Sequence, residues 1–241
     1  MREDARKGGI FFTALGVGIT LLIAAGALLD RRWALPSLFE IGVKALAVAA
    51  LIVVLRRLEA TALFSGRFLR SWTALILPAA AFQFLLAYAP ATKTVAAADA
   101  AAALLSLVFT VLWEELLFRG LAVALFEKKG RLPVWSAVLS VAVFAACHLV
   151  NLFSGRGMES VLLQVGYAVC FGAFLLGLFL RTRTLLAPMA AHFLLNGVRT
   201  FFDLRSGITG VWSSGWLLFV QMLLLLFLGV WMLWKPCSVK E

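Results

Sequence analysis

The chain has 241 residues, of which 63% are hydrophobic and 14% charged, with a formal net charge of +10. Soluble domains carry roughly 45–50% apolar and about 25% charged residues, and a soluble chain could not hide this much apolar surface. The composition excludes a soluble enzyme, a secreted disulfide scaffold and a disordered regulator, and the continuous apolar runs argue against a β-barrel, whose strands alternate apolar and polar residues.

In chain order, eight apolar stretches follow one another, at 10–29, 37–55, 71–89, 96–126, 133–151, 159–180, 184–202 and 211–234. A helix needs about 20 apolar residues to cross a bilayer. The reading is therefore all-α, a polytopic membrane bundle of about eight transmembrane helices. The first stretch follows Arg2, Arg6 and Lys7 and has small residues from Ala24 to Ala27, which imitates a signal peptide. The flank Asp30, Arg31, Arg32 and the seven further stretches favour a retained first helix. With no Ser-rich linker, low-complexity tract or repeat, 1–241 reads as a single integral-membrane domain. In the sixth stretch the pairs Ala168–Gly172 and Ala173–Gly177 have the small-residue spacing that lets helix backbones approach. Pro188, early in the seventh, fits a local kink.

The basic residues lie in the connectors, where the positive-inside rule accounts for them, so no nucleic-acid partner is expected. The N-terminus and the connectors 56–70, 127–132 and 181–183, with the C-terminus, share fourteen Lys and Arg. The opposite side has six: Arg31, Arg32, Lys93, Arg156, Arg199 and Arg205. That asymmetry places both termini in the cytoplasm. The three cysteines, Cys147, Cys170 and Cys237, form no framework, and the first two read as small hydrophobes within helices.

Ionisable residues inside hydrocarbon are expensive, about 2.5–3.5 kcal/mol each on insertion scales, so each needs a reason. The fourth stretch holds Glu114, Glu115 and Arg119. Glu115 and Arg119 are four apart on one helix face, with the acid N-terminal, the favourable order for a pair. Glu114 points about 100° away and is left as an intramembrane carboxylate without a structural partner. The two histidines of the chain are also within stretches: His148 in the fifth, and His192 in the seventh, with Asn196 one turn on. At 1.5 Å per residue, Glu114, His148 and His192 lie about 18, 22 and 12 Å from the cytoplasmic ends of their helices, close enough for one cavity.

Three chemistries fit such a cavity. In hydrolysis, a desolvated carboxylate takes a proton from water while imidazole and amide groups hold the water and the oxyanion. In a zinc site, Glu114, His148 and His192 would be the three protein ligands. Ion or proton movement also uses buried Glu and His, although the inverted repeats of a transporter are not evident. Serine catalysis has no support, since no Gly-x-Ser-x-Gly occurs. Cys147 and His148 are adjacent, so they diverge on a helix and make a poor dyad.

The set Glu-Glu-x-x-x-Arg (Glu114, Glu115, Arg119), Phe-x-x-x-His (Phe144, His148) and His-x-x-x-Asn (His192, Asn196) resembles the CPBP family, the CAAX proteases and bacteriocin-processing enzymes also called the Abi family. The resemblance runs from about residue 100 to 200. It implies an eight-helix intramembrane endopeptidase whose cavity opens toward the cytoplasm and the lipid, in which Glu114 is the general base and His148 positions the water. His192 and Asn196 would stabilise the oxyanion, while Glu115, Arg119 and Phe144 would support the site. The family is described both as metalloprotease and as glutamic-type; a glutamate-activated water with no cofactor is the favoured form here, and a zinc-dependent form is the alternative. The expected partners are the lipid bilayer and a membrane-anchored peptide or protein substrate, in the cytoplasmic membrane of a bacterium. A non-catalytic immunity or scaffold protein and an ion-coupled transporter are the competing functions.

Overall fold

A computed structural model describes residues 2–33, 35, 37–60, 94–127, 132–206 and 215–234. Seven helices are found among them: α1 (Arg2–Arg32), α2 (Leu38–Arg57), α3 (Ala97–Phe126), α4 (Val134–Ser154), α5 (Met158–Thr182), α6 (Leu186–Ser206) and α7 (Gly215–Trp234). No strand occurs among the described residues. Helices α1 to α5 are long and apolar enough to cross a membrane, and α7 has a shorter apolar run. The protein is thus an integral membrane protein in which five spans, where eight were expected, meet that criterion among the described residues. The expected span at 71–89 lies outside them. The expected span at 184–202 corresponds to the helix α6, which is not among the five.

Local chemistry sets the turns and helix ends. Between α1 and α2 the backbone reverses within a few residues, and Ser37 at the N-cap has φ 56° and makes no cap bond with its side chain. Asp30 takes over that task from the end of α1. Its carboxylate accepts the Phe39 and Glu40 N–H groups, each at 2.9 Å, which satisfies donors that a helix start leaves bare. Pro188 lies in the first turn of α6, where a missing N–H is tolerated.

The contacts fix the helix directions. Gly8 and Gly16 of α1 lie against Phe126 and Phe118 of α3, so these two run antiparallel. Lys44 of α2 bonds Ser106, and Leu55 lies against Gly120, so α2 and α3 run parallel. Helices α3 and α6 are antiparallel, with Gly197 on Leu107 and Gly120 on Leu185. Gly172 of α5 meets Phe144 of α4, and Gly166 and Gly177 meet Met222 and Met232 of α7. The small residues of α5 thus face two neighbours. Gly172 admits the Phe144 ring, with an added Cβ only 3.0 Å from it, while Ala173 and Gly177 pack on α7. As a result α1, α4 and α6 run one way and α2, α3, α5 and α7 the other. The start of α1 and the end of α7 share one end of the bundle, the near end; the end of α1 and the starts of α2 and α5 mark the far end.

Candidate active site

Helix α3 changes character at the acidic pair. It is α-helical from Ala97 to Glu115, widens to a π-helix from Leu116 to Leu121 and ends as α-helix from Ala122 to Phe126. Such turns are rare and recur at functional sites. The widened turn is tied to α4, where the Ser140 hydroxyl donates to the Phe118 carbonyl. Nothing in the local sequence signals this turn.

Four charged or polar side chains form a file across α3 and α6. Arg119 Nη1 donates to Glu115 Oε1 at 2.9 Å, the pair that the spacing anticipated. His192 Nδ1 lies 2.7 Å from the same Glu115 oxygen. His192 Nε2 faces Glu114 Oε2 at 3.5 Å, beyond ordinary hydrogen-bond length. Glu114 therefore does face a partner, contrary to the sequence expectation, and that partner is 78 positions away. Glu115, Arg119 and His192 are 0%, 1% and 1% exposed, whereas Glu114 keeps 9%. The exposed carboxylate is the one that lines the cavity, and the sealed one is held by a guanidinium.

The partners set the ring orientations. Arg119 donates to Glu115 Oε1, and the same oxygen faces His192 Nδ1, which turns His192 Nε2 toward Glu114. His148 Nδ1 lies 3.0 Å from the Phe144 carbonyl, which can only accept, so its Nε2 lone pair is left for another donor.

Phe144 gathers the site. Its ring lies 4.7 Å beneath the Arg119 guanidinium and meets His148 edge-on at 5.1 Å and His192 at 6.4 Å. Phe171 holds the other side of His192, at 5.1 Å. Arg119 reaches on to the Gly172 carbonyl at 3.3 Å.

A cavity of about 400 Å³ is lined by Glu114, Trp113, Phe144, Cys147, His148 and Asn196, among others. A smaller recess of about 100 Å³ is lined by His192, His148 and Asn196. His148 and Asn196 line both spaces, so Glu114 and His192 are reached from either side of them. Sequence reading missed a second polar cluster on the cavity wall, where Lys44 contacts Glu40 and donates to Ser106 at 2.8 Å. Lys44 stands out as a lysine within an apolar stretch, and its spacing of four from Glu40 was the available signal. The indole Nε1 of Trp113, Glu115 Oε2 and Arg119 Nε are buried without a protein partner among the described residues.

The zinc alternative requires Glu114, His148 and His192 on one ion. Among the described residues, no group of three His, Cys, Asp or Glu side chains is placed to hold a metal. Cys147 and Cys170 are free thiols, and Cys237 lies outside the described residues.

Fold and site define a polytopic helical membrane protein with a buried carboxylate–histidine centre between α3 and α6. Residues 95–198 match the family model described as Rce1-like, type II CAAX prenyl endopeptidase Rce1-like, a match consistent with the CAAX protease resemblance of the motifs. The segment includes every motif residue named above. No curated protein and no solved structure gives a significant match.

Proposed function

We propose that the protein is an intramembrane endopeptidase that hydrolyses a peptide bond in a membrane-anchored substrate with a water activated by Glu114. The observation that carries this reading is the file Arg119–Glu115–His192–Glu114, whose last carboxylate alone borders the cavity. In the reaction, Glu114 takes the proton of a water as its oxygen attacks the carbonyl carbon. The free Nε2 of His148 accepts the other hydrogen and aims the water. Negative charge then grows on the carbonyl oxygen, where the Asn196 amide and the His192 ring are its donors. Collapse of the tetrahedral intermediate breaks the C–N bond, and Glu114 returns its proton to the leaving amine. Glu115 is a positioning residue, fixing the His192 ring through Nδ1, while Arg119 and Phe144 fix Glu115 and the rings. The cavity volume falls within the ~300–1,000 Å³ of ligand sites. The setting we propose is the cytoplasmic membrane of a bacterium.

The test is cleavage of a pool of membrane-anchored peptides by the purified protein in detergent, read by mass spectrometry, with and without a strong chelator. The proposal expects one or a few defined new termini, unchanged in yield by the chelator. Abolition by chelator, with recovery on adding zinc, would replace the glutamate mechanism by a metal-dependent one.

A further inference from the structure

The cavity has a direction. From Glu114 its lining runs to Arg31 at the end of α1, Glu40 and Lys44 at the start of α2, Asn151 and Ser154 at the end of α4, and Arg156 just before α5. All of these belong to the far end. Toward the near end the bundle is filled: Leu117, Leu121 and Leu185 are 0% exposed, Leu55 2% and Phe126 3%. Gly120 lies between Leu55 and Leu185 so closely that an added Cβ would meet them at 3.2 and 3.3 Å. Among the described residues, no opening leads from Glu114 to the near end.

The near end is also where the positive charge is concentrated. Among the described side chains the near end carries Arg6, Lys7, Arg56, Arg57, Arg181 and Arg183, and the far end Arg31, Arg32, Arg156 and Arg199; in the sequence, the segments that adjoin near-end helix ends hold fourteen Lys and Arg against six in the others. Such an excess marks the cytoplasmic side. The sequence expectations of cytoplasmic termini and of a cavity open to the cytoplasm therefore exclude each other in this fold.

We infer that the cavity is entered from the extracytoplasmic face, so that its substrates are membrane-anchored peptides whose scissile segment has been exported across the membrane. This rests on the reading of the cavity as a proteolytic site. The far-end position of His148, six residues before the end of α4, puts the site within reach of a peptide lying just outside the bilayer core. A tail anchored to the cytoplasmic leaflet would meet the filled near end instead.

The experiment separates the two claims. In full-length protein lacking Cys147, Cys170 and Cys237 by replacement with Ala, single cysteines are placed by Gly157→Cys and Lys7→Cys. Gly157 is at the far end, where an added side chain meets nothing within 4 Å, and Lys7 is exposed at the near end. A membrane-impermeant maleimide added to intact cells should label Gly157→Cys, with label at Lys7→Cys lost until the cells are permeabilised. The reverse pattern overturns the inference. In parallel, the unaltered protein is assayed in right-side-out and inverted membrane vesicles with an added lipid-anchored peptide. Cleavage by right-side-out vesicles alone supports the inference, and cleavage by inverted vesicles alone overturns it. External labelling together with cleavage by neither preparation, nor by detergent-opened vesicles, would keep the topology and overturn the substrate assignment with the proteolytic reading.

Discussion

Two adjacent glutamates in this chain have opposite environments, and the difference decides what each substitution does. Glu115 is sealed between Arg119 and His192. Replacing it by Gln leaves a buried guanidinium without its counter-charge, a loss of order 3 kcal/mol for a broken buried pair. We expect Glu115→Gln to lower the thermal stability of the detergent-solubilised protein markedly, and Glu115→Gln with Arg119→Met to recover much of it; a single variant as stable as wild type would contradict the pairing. Asn196 has the opposite character. It lines both the cavity and the recess. Asn196→Ala should reduce kcat by about 10²–10³ with KM little moved, as loss of an oxyanion donor does. A rise in KM at unchanged kcat would make it a substrate-binding group instead. The Glu115–Arg119 pair was legible in the sequence because four-residue spacing is a local property of a helix. The approach of Glu114 to His192 was not, since it depends on how α3 and α6 pack.

Among the elements, glycines mark where helices touch. An added Cβ at Gly229 of α7 would lie 2.6–2.8 Å from the backbone of Ala173 and Phe174 in α5, so α7 would have to move. Gly18 of α1 meets nothing within 4 Å. Gly229→Ala should therefore destabilise the protein by about 1–3 kcal/mol, as overpacking does. Gly18→Ala should be neutral or stabilising by up to ~1 kcal/mol through helix propensity. Thermal melts of the two variants check this, and equal behaviour would contradict the packing assigned to α5 and α7. The packing role of Ala173 and Gly177 was readable from their spacing. The π-helical turn after Glu115 and the parallel course of α2 and α3 were not: the first has no residue signature, and the second depends on which non-adjacent helices meet.

For the molecule as a whole, composition alone announced a helical membrane protein, and a simple count of helical rise brought Glu114, His148 and His192 to comparable depth. The apposition of Glu114 and His192 is compatible with that count. The direction in which the cavity opens was beyond such counting. It depends on which side chains fill the space beneath Glu114, among them Leu117, Leu121 and Leu185, and sequence marks these only as apolar. Charge distribution and cavity direction are separate properties of the bundle, and only the folded chain relates one to the other.

The central claim is that Glu114 activates the attacking water. The most direct measurement is the single-turnover rate of wild type beside Glu114→Gln on one anchored peptide, with both proteins matched for membrane yield and thermal stability. The account predicts a loss of at least about 10²-fold in rate, the range expected when a general base is removed, with folding unchanged. A Glu114→Gln protein that cleaves at the wild-type rate would contradict it.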